Sequence, residues 1–158
     1  MALDSPHNRS KAPLFERLLM TGTYPNDIVD LGTISVNDVK QSVARNLEFL
    51  LNTRIDPKDD ISTHTVVNYG IPDFSAISSN NASDLRMLSI KIQRAITAFE
   101  PRLHSVRVDV IKADAKDLEQ SIQIQLQALL HVEPIDENVK FFLVIQNKYG
   151  RVNVYDGE

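Results

Sequence analysis

Cysteine and tryptophan are absent from this chain, and glycine is scarce. Without cysteine there are no disulfides and no thiolate zinc sites, and a reducing compartment is permitted. The five glycines, Gly22, Gly32, Gly70, Gly150 and Gly157, form no phosphate-binding loop. His7, His64, His104 and His131 include no pair at the i,i+4 spacing of a helical metal site, so no metal is expected. No apolar run reaches the roughly 20 residues that span a bilayer, so no membrane insertion is expected. Met1 to Pro13 holds no apolar h-region, and no signal peptide is expected. Positive charge is in the minority, 17 basic against 21 acidic residues, a net charge of -4. That balance argues against nucleic acid, whose binding needs a basic footprint. What remains is a protein of 158 residues, enough for one domain with a real core, working inside the cell.

Residues 1–13 read as irregular. Leu14, Phe15, Leu18 and Leu19 then make a short apolar face at helical spacing. One or two turns are unstable alone, so this segment docks either onto the domain or onto another chain. Thr21–Gly32 reads as a connector, which divides the chain into a docking segment and connector, 1–33, and a single domain, 34–158. Ser35 and Asp38 form a capping-box variant at the start of the strongest helix. Val36, Val39, Val43, Leu47, Leu50 and Leu51 give its apolar face, and it ends near Asn52–Arg54, before Pro57. Residues 55–83 are polar and turn-rich, with Tyr69, Ile71 and Phe74 placed to anchor the loop around Gly70 and Pro72. A second helix begins near Ser83–Asp84, with Leu85, Leu88, Ile92, Ala95 or Ile96, and Phe99 inward. Its basic flank, Arg86, Lys91 and Arg94, reads as solvated surface.

Strand patterns follow. Val106, Val108 and Val110 alternate with Arg107 and Asp109, and Ile122, Ile124, Leu126 and Ala128 alternate with Gln123, Gln125 and Gln127. Each strand has one apolar face, as in an antiparallel sheet covered on one side. In Val139–Ile145, Phe142 and Val144 are apolar on the second face as well, so this strand is central or meets another protein there. Asn147–Gly150 reads as a turn and Val152–Val154 as a last strand. The Gln123, Gln125 and Gln127 face reads first as a solvent-facing sheet surface; with Arg107, Asp109 and Lys112 the glutamines also suit a managed sheet edge, one that permits strand addition. The expected fold is α+β: two main helices packed on one face of a small, mostly antiparallel three- to four-stranded sheet.

Between the second helix and the first of these strands lies Phe99-Glu100-Pro101-Arg102-Leu103. A negative charge at a helix C-terminus opposes the dipole, and proline biases the residue before it away from the α region. The segment is either a local structural joint or a rigid presentation of Glu100 and Arg102 to each other or to a partner. A glycosidase would need two carboxylates across a cleft, and a serine nucleophile an elbow. Neither pattern is present, so no catalytic residues are assigned.

Four segments in order carry a family resemblance: Leu14-Phe15-Glu16-Arg17-Leu18, Leu50-Leu51-Asn52-Thr53-Arg54, Tyr69-Gly70-Ile71-Pro72-Asp73 and Glu100-Pro101-Arg102-Leu103. The chain resembles the TssE family, small baseplate wedge components of type VI secretion systems. That family is similar to the small wedge protein of contractile-phage baseplates, and its lysozyme-like label reflects the history of the fold. The resemblance covers about residues 10–150 and implies assembly rather than catalysis. It implies a cytoplasmic location, in a baseplate docked at the inner membrane, and no cofactor. Glu100, Pro101 and Arg102 would bind the wedge core of TssF and TssG, with TssK attached. The sheet would template the first sheath ring of TssB and TssC. Leu14, Phe15 and Leu18 would serve as a docking peptide. Asn52, Arg54, Tyr69, Gly70, Pro72 and Asp73 would be structural motif residues. A peptidoglycan-cleaving, muramidase-like enzyme is the alternative.

Overall fold

A computed structural model describes residues 9–11, 33–55, 68–74, 81–111, 121–146 and 150–157. In chain order these form β1 (Arg9–Lys11), β2 (Thr33–Ser35), α1 (Val36–Asn52), β3 (Arg54–Ile55) and β4 (Ile71–Pro72). They continue with α2 (Ala82–Phe99), β5 (Leu103–Ile111), β6 (Ser121–Val132), β7 (Ile135–Gln146) and β8 (Arg151–Gly157). The expected α+β layering is what forms. β5, β6, β7 and β8 make one antiparallel sheet in sequence order. Both helices lie on one face of it, α1 chiefly along β8 and α2 along β5.

The capping box sets the start of α1. The Ser35 hydroxyl accepts from the Asp38 N–H at 3.2 Å, and the Asp38 carboxylate accepts from the Ser35 N–H at 3.2 Å. The helix ends because Thr53 turns extended while its N–H still bonds back to Leu50 and Phe49. All six predicted apolar positions of α1 are buried. α2 starts at Ala82, a little earlier than expected, because Asn81 caps it by accepting from the Ser83 N–H at 3.0 Å. Its stripe Leu85, Leu88, Ile92, Ala95 and Ile96 is buried, and Phe99 packs against the core. Opposite these stripes lie Val106, Ile124, Leu126, Phe141, Leu143 and Val152 of the sheet.

Four sequence expectations need correction. Arg9–Lys11, read as irregular, is a short strand antiparallel to Thr33–Ser35, a pair that straddles the boundary placed after residue 33. Three polar residues carry no period-2 signal, and long-range pairing decides their state. The turn-rich stretch holds a parallel bridge, Arg54 with Ile71 and Ile55 with Pro72, too short to give a pattern. Of the two readings of the glutamines, the edge fails and the solvent-facing surface holds: Gln123, Gln125 and Gln127 stand on the open face of β6, an interior strand. Of the residues grouped with them, Arg107 and Asp109 are on edge strand β5, while Lys112 lies outside the described residues. Finally, β5 does not alternate from its start. A register shift between His104 and Arg107 coincides with a positive φ of 51° at Ser105, a bulge that no residue type announced. The question left open for β7 resolves on its position: it is paired on both sides, and Phe142 and Val144 face the open side.

Gly70 sits where only glycine fits. Its φ is +133°, and a Cβ there would stand 2.5 Å from the Thr53 carbonyl oxygen. Gly70→Ala should therefore lower stability by roughly 2–3 kcal/mol, measured by urea unfolding, whereas an exposed glycine-to-alanine change costs little.

Candidate functional site

Three of the four motif segments meet on and beside the first helix. The α2–β5 joint is built first by backbone geometry. Glu100 closes α2, its N–H bonding to the Ile96 carbonyl at 2.9 Å, and its φ of -119° and ψ of 84° leave the helical region as a residue before proline must. The Leu103 N–H then bonds to the Glu100 carbonyl at 3.1 Å, so Glu100 to Leu103 is a turn with proline second. This turn points the Glu100 and Arg102 side chains at each other.

The result is a two-pronged fork. Arg102 Nε donates to Glu100 Oε1 at 2.7 Å and Nη2 donates to Oε2 at 2.8 Å. The third prong, Nη1, donates to the Ser42 hydroxyl of α1 at 3.0 Å, and Asn46 Nδ2 reaches Glu100 Oε2 at 3.4 Å. From β6, the His131 N–H bonds to the Arg102 carbonyl at 2.9 Å. Glu100 is only 3% exposed, and the Arg102 side chain 16%. The fork thus ties α2, α1, β5 and β6 together. Of the arrangements open from sequence, the structure shows the two residues presented to each other. Pro101 stays exposed at the surface of the joint.

The second locus is the end of α1. The Asn52 amide bridges to β8: Nδ2 donates to the Val152 carbonyl at 2.8 Å while Oδ1 accepts from the Val152 N–H at 2.9 Å. Arg54 Nη1 donates to the Leu51 carbonyl at 2.7 Å, Nη2 donates to the Gly150 carbonyl, and the guanidinium lies 4.1 Å over the Phe74 ring. Burial lowers the Arg54 pKa from its ordinary value, and the Asp73 carboxylate opposes that. The Ile71 N–H bonds to the Thr53 carbonyl at 3.0 Å, seating the Tyr69–Asp73 loop on the helix end. Tyr69 then reaches the first locus, its ring edge-on to Phe99 at 5.4 Å. Burial, and after it the Glu100 charge, raises the Tyr69 pKa above the ordinary 10.0.

Leu14, Phe15 and Leu18 lie outside the described residues. Sequence reasoning missed Ser42, Asn46 and Val152. Ser42 and Asn46 carried a usable signal, polar residues one turn apart on the flank of an apolar stripe. Val152 carried none, because its role is played by backbone. Among the described residues, no group of three or more His, Cys, Asp or Glu could hold a metal ion.

Fold and joint together define a small α+β domain organised around a buried acid–base fork. The sequence pattern of the family described as "Baseplate wedge protein gp25" matches residues 37–135, from the first turn of α1 to the start of β7. The chain belongs to the gp25 baseplate wedge family. It has the fold of a chain in the structure titled "The baseplate complex from the type VI secretion system". That likeness has a TM-score of 0.51 at 21% identity and covers 70% of this chain and 96% of the other. The chain is also 33% identical over 138 residues to the ATP-dependent zinc metalloprotease FtsH 2 of Sphaerobacter thermophilus. That match covers 80% of this chain and 18% of the metalloprotease.

Two tests follow from the fork. Glu100→Ala and Arg102→Ala should each destabilise by about 3 kcal/mol, since each strands a buried charge. The double variant should lose clearly less than the sum, and strict additivity in a double-mutant cycle would refute the coupling. The raised Tyr69 value means that the native state holds the phenolic proton more tightly than the unfolded chain does. Its contribution to stability is complete below pH 10.0 and is lost as pH climbs through the raised native value. Tyrosinate absorbance should show one late-titrating tyrosine, absent in Tyr69→Phe. Glu100→Gln should move it only part of the way back, because burial is the larger cause.

Proposed function

We propose that this chain is the small, non-catalytic wedge component of a type VI secretion baseplate. Membership of the gp25 family and the fold shared with a chain of such a baseplate support this reading. The observation that carries it is the fork. Glu100 and Arg102 are satisfied inside the chain, so they hold the joint in one shape and leave exposed Pro101 and the adjoining flank of α1 as a preformed contact. Preorganisation of this kind lowers the ordering cost of binding. The wedge core of TssF and TssG, with TssK attached, docks at that joint. The sheet provides the start for a sheath ring of TssB and TssC. Leu14, Phe15 and Leu18 dock on a partner, and residues 1–33 act as docking segment and connector to the domain 34–158.

The complex sits in the cytoplasm against the inner membrane. No helix among the described residues is long and apolar enough to cross a membrane. The muramidase alternative gains no support from the joint, where the Glu100 carboxylate is held on both oxygens by Arg102.

A pull-down against co-expressed TssF and TssG tests the reading, comparing wild type with Glu100→Ala, Arg102→Ala and Arg102→Lys under conditions where all remain folded. Wild type should bind, and the alanine variants should bind at least about tenfold more weakly, a loss of about 1.4 kcal/mol. Arg102→Lys keeps the charge but not the fork, so it should fall between them. Equal binding by all four would reduce the tripeptide to a folding joint.

A further inference from the structure

Ser42 and Asn46 are the two α1 side chains that meet the fork, and they differ in exposure. Ser42 is only 4% exposed, and its hydroxyl is closed off against Arg102 Nη1. Asn46, one turn on, is exposed, and its Nδ2 reaches inward to Glu100 Oε2 at 3.4 Å. That bond is long, and Oε2 is already held by Arg102 Nη2 at 2.8 Å. Asparagine is also a weak helix former, and residue 46 lies in the interior of α1. Asn46 therefore adds little to the stability of either the helix or the fork.

The fork, in turn, orients Asn46. A carboxylate held by a guanidinium only accepts hydrogen bonds, so the donor end of the Asn46 amide turns to Glu100 and the acceptor, Oδ1, turns away. Among the described residues no hydrogen bond reaches that Oδ1. The carbonyl of exposed Pro101, next to Glu100, likewise accepts none among them. A buried charge thus sets the polarity of a surface group, and the α1 flank beside the joint shows open acceptors. Phe49 stands on the same flank, three residues further and 67% exposed. An aromatic ring in that place excludes water from a neighbouring hydrogen bond once a partner covers both.

We infer that Asn46 is a specificity-determining residue of the joint: its outward Oδ1, oriented by Glu100, accepts a hydrogen bond from a donor on the wedge core, with Phe49 packed beside it. This rests on the wedge reading above and adds the chemistry the partner must present, a donor side chain or a free backbone N–H. A carboxylate at that place would meet only acceptors and be rejected.

Affinity for co-expressed TssF and TssG, measured beside thermal melts, tests this in wild type, Asn46→Ala, Asn46→Lys and Asn46→Gln. Asn46→Ala removes the acceptor and should bind roughly three- to tenfold more weakly, the effect of one hydrogen bond, with a melt no lower than wild type. Asn46→Lys keeps a donor for Glu100 but offers no acceptor, so it should stay folded and bind no better than the alanine variant. Asn46→Gln keeps an amide on the flank and should recover part of the affinity. Wild-type affinity in both the alanine and lysine variants would overturn the inference and leave the wedge reading intact. So would wild-type affinity in Asn46→Lys alone, or a melt that falls in step with affinity in Asn46→Ala, since either reduces Asn46 to a part of the fork. A folded wild type that does not bind would overturn the wedge reading and this inference with it.

Discussion

The Glu100–Arg102 fork is the constraint on which the rest of this molecule depends. A carboxylate at the last position of a helix opposes the dipole, and burying it adds a desolvation cost. Both are tolerated because Arg102 meets each oxygen within 2.8 Å. The turn through Pro101 delivers that geometry. It ends α2, starts β5 and leaves the guanidinium a third prong for α1. A buried pair of this sort adds little net stability over apolar residues of the same volume. Its effect is orientation: the angle between α2 and β5, and the position of α1 beside them, are fixed by directional bonds where a greasy contact would let them slide.

The end of α1 is held by the same means. Asn52 and Arg54 bond to backbone carbonyls of β8 and of the turn before it, and Gly70 lets the next loop press against the Thr53 carbonyl. Tyr69 joins the two loci, because one neighbour in sequence is Gly70 and its ring meets Phe99, beside Glu100. Helix ends, loop and sheet edge are therefore positioned by hydrogen bonds to particular atoms, while the apolar stripes beneath supply the driving force for burial.

Most of the layer architecture was legible in the sequence, since the stripes of α1 and α2 and the alternation of β6 follow the periods of helix and strand. The joint was legible in part. Glu100, Pro101 and Arg102 stood out because their arrangement is costly without compensation, but the compensating atoms on Ser42 and Asn46 sit some 60 and 54 residues away in sequence. Strand neighbourhood was not legible either. For Gln123, Gln125 and Gln127 the solvent-facing surface was legible but an edge stayed open beside it, because polar residues on one face look alike at an edge and on the open side of an interior strand. The bulge at Ser105 and the two-residue bridge of β3 with β4 escaped for a related reason: each is set by backbone pairing, which no single side chain reports.

The sheet's open face constrains how the domain joins anything else. Register places Asp109, Gln125, Phe142 and Tyr155 in one row across β5 to β8. The Phe142 ring lies against Gly157 on the same face, so part of its apolar surface is already spent within the chain. What remains there is a mixed surface of glutamines and isolated apolar groups, which a second layer of helices could cover only by leaving amides unpaired. One sheet edge is bulged, and each edge meets a helix amide. Among the described residues, exposed Pro101 sits on a joint that internally satisfied bonds hold in one shape. Under the proposed function, that rigidity is what lowers the ordering cost of a contact at the joint.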